Sequence, residues 1–270
     1  MRGLSTLTLF LLGSLISAST VYAQDWSFAV GPGVTQYFGD VNDQQFGGNR
    51  FALNAEAWYR LTDNIQIKSG LSFYQLSAQD ADTTRMRSFQ ANNFEFYSSA
   101  MYSFKRGFFT PFAYIGIGAT TSNPQGDTRL GYFNLRDVEP EADPVPGLIG
   151  IVPFGVGLDY EITPVLSVVF DLALRYAFSD RLDAMSREII VVNDLSPLAI
   201  DYYSAISDEM DRAVQEDQTL RGGNSANDDL YGMFTVKLRF TPTASLFGCV
   251  EPYKYARPDR RRKPRNYKPL

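Results

Sequence analysis

Residues 165–178 read VLSVVFDLALRYAF. Successive side chains of a strand point to opposite sides, so Leu166, Val168, Phe170, Leu172, Leu174, Tyr176 and Phe178 share one face. Ser167, Asp171, Ala173 and Arg175 share the other. An unbroken apolar face backed by one that holds an aspartate and an arginine is the pattern of a strand with lipid on one side and a polar interior on the other.

The same period recurs along the chain. In 51–61, Phe51, Leu53, Ala55, Ala57, Tyr59 and Leu61 oppose Asn54, Glu56, Trp58 and Arg60. After Thr62-Asp63-Asn64, Ile67, Leu71 and Phe73 oppose Gln66, Lys68, Ser72 and Tyr74 in a strand from Ile65 to Leu76, and the pair reads as a tight hairpin. In 93–104, Phe94, Phe96, Ala100, Tyr102 and Phe104 oppose Glu95, Tyr97, Ser99 and Ser103. A glycine-rich strand follows over 110–120, and another over 150–161 aligns Val152, Phe154, Val156, Leu158 and Tyr160. In 230–241, Phe234, Val236, Leu238 and Phe240 oppose Thr235, Lys237 and Arg239. With 26–38 at the front there are eight strands.

The links between them alternate. Those after strands two, four and six are short, whereas 39–50, 77–92, 121–148 and 179–229 are long. A water-soluble sandwich or lipocalin-like barrel has no reason to put every long link at one end, and bacterial outer-membrane barrels do. The expected fold is all-β: an eight-stranded antiparallel transmembrane up-and-down β-barrel. Its long loops would be extracellular and both termini periplasmic.

The N-terminus agrees with export. Arg2, the apolar run Leu9–Ile16 and the small residues of Val21-Tyr22-Ala23 form a signal-peptide pattern over 1–23, too short to span a bilayer as a helix. No cysteine follows it to carry a lipid anchor. The rest divides into a barrel over 24–241 and a tail over 242–270. Aromatic residues make up 14% of the chain, and no later stretch is apolar enough for a membrane helix, which again favours strands. Histidine is absent, so Ser-His, Cys-His and His-metal chemistry cannot be built from this chain alone. No acid pair is placed by the sequence as an active site, so no catalytic, metal or cofactor residue is expected.

Glu56, Arg60, Lys68, Glu95, Asp171, Arg175, Lys237 and Arg239 would point into a lumen that eight strands leave just wide enough for side chains. They could form a proton or ion path, or a network of paired charges; pairing is the expectation, because removal of one partner would leave a buried charge uncompensated. Within the longest link, Leu198, Tyr202, Ala205, Ile206 and Met210 recur at helical spacing. A helix there could cap the barrel mouth or offer a stripe to another protein. Asp137, Glu139, Glu141 and Asp143 lack calcium-loop spacing and read as solvated loop charge.

The tail reverses the charge. Eight basic residues against Glu251 and Asp259 give it +6, in a precursor of net charge −5. Tyr253, Tyr255, Arg257, Arg260, Arg261, Arg262, Lys263 and Arg265, interspersed with prolines, suit an extended periplasmic docking arm. The other reading is a disordered tail assisted by attraction to anionic outer-membrane lipid. Nucleic acid is not the expected partner in that compartment. Cys249, the one cysteine, is either an idle thiol or the site of an intermolecular disulfide to a periplasmic protein.

Three segments carry a family resemblance. Tyr37-Phe38-Gly39-Asp40-Val41-Asn42 is similar to a Y-x-G-D-[LV]-N segment at the end of a first strand. Residues 178–186, FSDRLDAMS, are similar to T-D-Y-L-D-D-V-S, with Arg181 in place of tyrosine and Ala184 in place of the second aspartate. Arg221-Gly222-Gly223-Asn224 with Asp229-Leu230-Tyr231 is similar to R-G-N…D-x-Y, with one glycine inserted. In these the chain resembles the PorG-like outer-membrane barrels of Bacteroidota, components of type IX secretion and gliding machinery. The resemblance implies a non-enzymatic anchor for a periplasmic lipoprotein ring, with the Arg-Gly and Asp positions shaping loops. The other function weighed is a small surface barrel whose outer loops bind a host or matrix ligand.

Overall fold

The computed structural model describes residues 25–38, 49–79, 88–104, 108–179, 181–182, 184, 189–216, 219–221 and 229–242. The expected signal peptide and every tail residue assigned to partner binding, Cys249 included, lie outside the described residues.

Eight antiparallel strands close into a barrel: β1 (Trp26–Phe38), β2 (Arg50–Arg60), β3 (Ile65–Gln79), β4 (Ser88–Ser103), β5 (Phe109–Thr121), β8 (Leu148–Glu161), β9 (Leu166–Ala177) and β12 (Leu230–Phe240). Each pairs with its sequence neighbours, and β12 pairs with β1 through Val30↔Leu238 and Tyr37↔Tyr231, which leaves no free edge in the ring. Two short links use one device. Thr62 and Thr163 accept a hydrogen bond through Oγ1 from the amides of Ile65 and Leu166, each at 3.0 Å, closing a tight turn.

The faces fall as the alternation requires. Leu172 is 55% exposed on the outer wall, whereas Asp171 beside it is 3% exposed in the lumen. Aromatic girdles bound the apolar band. At the short-link edge Trp26 packs on Tyr59 with ring centroids at 4.9 Å, and Phe109 on Tyr160 at 5.0 Å. At the opposite edge Phe73 meets Phe94 at 5.2 Å. One step beyond, Gln75 donates to Asn92 at 2.8 Å, and the outer wall turns polar.

The strands β3 and β4 outrun the spans expected for them, Ile65–Leu76 and 93–104. The sequence reading stopped where outward apolar residues stop. Pairing continues because Leu76, Ala78, Phe89 and Ala91 still face inward, into an apolar core above the lipid band. The chain also adds a hairpin inside the 121–148 link, β6 (Pro124–Thr128) and β7 (Gly131–Asn134). Here β6 takes over from β5 as the neighbour of β4, through Phe89↔Gly126 and Ala91↔Pro124.

In the longest link, β10 (Ile189–Val191) pairs with β11 (Thr219–Arg221). Between them lie α2 (Pro197–Ile206) and α3 (Asp208–Gln215), while α1 (Leu135–Val138) is a single turn after β7. The expected single helix is thus two, broken at Ser207, whose backbone is extended. Within α2 the buried face is centred on Ala199, Tyr202, Tyr203 and Ile206 at helical spacing, with Ala205 beside it, so Leu198 in the first turn is 42% exposed; Met210 of α3 is buried as expected.

Candidate functional site

The lumen is filled in layers. In the middle, Lys237 Nζ lies 2.7 Å from both Glu56 and Asp171, while Lys68 Nζ lies 2.6 Å from Asp171 and 3.3 Å from Glu56. Two cations alternate with two carboxylates, so the four buried charges cancel. The remaining carboxylate lone pairs accept from Trp58 Nε1 at 2.8 Å, from Tyr114 at 3.0 Å and from Tyr97. Room for the Tyr97 ring comes from Gly70 across the lumen wall, where a Cβ would stand 2.6 Å from that ring. One layer up, Arg175 grips Glu95 with Nε and Nη2, each at 3.1 Å, and the Tyr231 hydroxyl adds 2.7 Å. Tyr74 stacks on Tyr231 at 5.1 Å and bonds Thr120 at 2.6 Å.

Below the quartet, Trp58, Met101, Phe112 and Val169 form an apolar floor. Under it Arg239 pairs with Asp159 at 2.6 Å, its guanidinium 5.0 Å over Trp58. Arg60, expected in the lumen, ends β2 half-buried at the rim. Seven of the eight charges expected in the lumen meet there, and Asp159 and the tyrosine hydroxyls that complete the network were not among those expected. Asp159 could have been found as the one acid inside the alternation of Leu158 and Tyr160.

Above Glu95 the filling changes character. Tyr37, Leu76, Phe89, Ile149 and Ile151 from the barrel share one core with Leu135, Leu195, Tyr202, Tyr203, Ile206, Met210 and Leu220 from the long links. The two longest links form a head, and its underside is the barrel's own plug.

Local chemistry fixes the head. Ser196 and Ser207 cap α2 and α3, accepting from the amides of Ala199 and Met210 at 3.1 Å each, and Pro197 opens α2 where no amide is needed. Tyr203 donates to Pro140 O at 3.0 Å. Gly126 gives Tyr202 its seat, since a Cβ there would stand 2.6 Å from the ring. At the tip of β6–β7, Arg129 reaches the α2 carboxyl end, donating to Ala205 O at 3.3 Å and Ser204 O at 3.0 Å, and pairs with Asp208 at the start of α3. Arg129 beside Asp208 holds that carboxyl below its ordinary range.

The acidic run 137–143 is not wholly solvated as expected. Glu141 is buried, and Asp143 is half-buried and paired with Arg181 at 2.9 Å. Burial follows because this segment passes under Tyr203 and beside Arg181. Among the described residues no group of three His, Cys, Asp or Glu side chains could hold a metal ion.

The three resemblance segments, far apart in sequence, meet at one carboxylate. Asp229 is 2% exposed and accepts from the Tyr37 hydroxyl and, at 2.8 Å, from the amide of Leu182. Its own carbonyl accepts from the amide of Ala177 at 2.9 Å. The first strand, the exit of β9 and the entry to β12 are thus joined at the barrel's closing seam.

No family model matches this chain, and no curated protein does. Among solved structures it is similar to Neisserial surface protein A, at 9% identity over 80% of this chain and 97% of that one, with a TM-score of 0.42. It is similar to Ail, the attachment invasion locus protein of Yersinia pestis, solved with the heparin analogue sucrose octasulfate, at 11% identity over 80% and 98% with a TM-score of 0.40. The N-terminal β-barrel domain of Pseudomonas aeruginosa OprF aligns at 11% identity over 80% and 98%, with a TM-score of 0.37.

The sequence of the two longest links is strongly acidic. Residues 121–148 and 179–229 hold seventeen acidic and six basic side chains, a net of −11.

Proposed function

We propose that this chain is a closed outer-membrane barrel that mounts a folded, acidic head at the cell surface, where the head binds a ligand. The long-link end then faces outside and both barrel termini face the periplasm. The observation that carries the reading is the shared core: side chains of α2 and α3 belong to one buried apolar cluster with lumen side chains of β1, β3, β4 and β8. Long links selected only to clear the membrane need no such core. The lumen beneath is packed with paired charges, so conduction is a poor explanation of the architecture. Expression in a non-adherent bacterium tests the proposal, with attachment to immobilised matrix proteins as the readout. Attachment that disappears when 197–216 is replaced by a short Gly-Ser turn, with the barrel still in the membrane, supports it. Attachment unchanged by that replacement contradicts it.

A second reading rests on the sequence of the tail. Its +6 charge, Cys249 and the three resemblance segments favour a part in a type IX-like secretion apparatus, anchoring a periplasmic lipoprotein ring. Deletion of 249–270 separates the two. Loss of export of other surface proteins with the tail deletion, and not with the head replacement, supports the anchor.

A further inference from the structure

The β6–β7 hairpin carries a feature that the head's own packing leaves unused. Its inner face is spoken for, since Gly126 lies under the Tyr202 ring and Phe133 meets the same ring at 5.8 Å. Its outer face presents Tyr132, 62% exposed, and its tip presents Leu130 at 80%. These are not free-moving side chains on a loose loop, because Arg129 between them and β6 is bonded to the end of α2 and to Asp208.

Tyr132 is the register partner of Asp127, also exposed. Partners across an antiparallel pair stand about 4.5–5.5 Å apart at Cβ, so an aromatic face and a carboxylate share one small area. Such a pair attracts a cation twice, through the ring quadrupole and through charge. The guanidinium of Arg129, at the tip of the same hairpin, is paired with Asp208.

The backbone adds a second recognition element. The hairpin closes at Thr128↔Gly131 around two residues, so ladder alternation turns the N–H and C=O of Tyr132 away from β6. Among the described residues β7 ends the sheet, and no backbone bond to Tyr132 from outside the β6–β7 ladder occurs.

We propose that β7 is a docking edge for an extended, lysine- or arginine-bearing segment of a partner polypeptide. It would pair with Tyr132 and set a cationic side chain between Tyr132 and Asp127. The proposal rests on the reading of the head as a binding surface and narrows its partner to a cationic strand. The net charge of −11 carried by the sequence of links 121–148 and 179–229 would draw such a segment in and reject an acidic one.

The full-length protein in lipid nanodiscs, titrated with a fluorescent KVKVKVK peptide, tests it by anisotropy. Saturable binding is expected, weakened three- to tenfold by Asp127→Asn or by Tyr132→Ser. Neither exposed substitution touches the hairpin's inner face. A peptide with proline at its centre should bind at least about tenfold more weakly, and EVEVEVE not at all. Asp201→Asn and Glu209→Gln, which remove the same charge elsewhere on the head, should leave affinity within twofold. Equal weakening by all four substitutions, or no saturable binding of KVKVKVK, overturns the docking edge. If the head replacement abolishes attachment to matrix while the hairpin variants bind peptide like the unaltered protein, the docking edge falls and the head reading stands.

Discussion

The lower lumen and the barrel mouth are filled by opposite means. Between Glu95 and Asp159 the eight-stranded ring is packed with ion pairs and tyrosine hydroxyls around one apolar layer, all contributed by the barrel strands themselves. At the mouth the filling is apolar, and the barrel strands share it with side chains from 189–220, a segment between β9 and β12. The lower network is cross-strand: Glu56 of β2 is held by Lys237 of β12 and Lys68 of β3. It favours a single register, because a slip of one residue would turn each charge to lipid. The mouth has no such constraint, since apolar contacts are not directional. It depends instead on capped helices and a few clips to bring the distant segment back.

This contrast gives graded expectations. Arg175→Met leaves Glu95 buried without its partner and should destabilise the barrel by about 3–5 kcal/mol. Denaturant unfolding of the detergent-solubilised protein measures it, and Glu95→Gln added to the same chain should recover part of the loss. An Arg175→Met protein as stable as the parent would show that the lumen does not depend on its ion pairs.

Tyr203→Phe, at the mouth, removes the bond to Pro140 O and leaves that carbonyl unpaired, at a cost of about 1–3 kcal/mol. The expected effect is local: faster proteolytic nicking within 189–221, with an unchanged barrel band on heat-modifiability gels. An equal loss of barrel stability would mean that the two regions unfold together.

The smallest effect is the pH response of the Arg129 clip. The folded-state pKa of Asp208 lies below its unfolded value, so its contribution is present above the ordinary carboxylate range. It is lost as pH falls below about 4. Nicking near the α2–α3 junction should rise modestly over that range in the parent and not in Asp208→Asn, which has already lost the clip's charge.

Most of the barrel was legible because it obeys one rule. Leu166 to Phe178 can alternate in only one way once lipid lies outside, and the same rule sorts Glu56, Lys68, Glu95, Asp171, Arg175 and Lys237 into the lumen. The head was legible only in part. Tyr202, Ala205, Ile206 and Met210 announce a helical stripe, but neither the break at Ser207 nor the side on which Leu198 falls follows from that spacing. The strands β6 and β7 are five and four residues long, too short for periodicity to reveal. The resemblance implies a loop-shaping role for Asp229; the structure shows it accepting from Tyr37 and from the Leu182 amide. What sequence alone could not supply was the partner set, since Tyr37 and Leu182 are brought to it by closure of the ring.

The central claim is that the long links form a folded head continuous with the barrel core. Hydrogen exchange of the full-length protein in nanodiscs tests it most directly. Amides of Ile200–Ile206 should be protected by orders of magnitude relative to free-chain rates, as those of a packed helix are. Exchange of those amides at free-chain rates, with the barrel strands still protected, would contradict it.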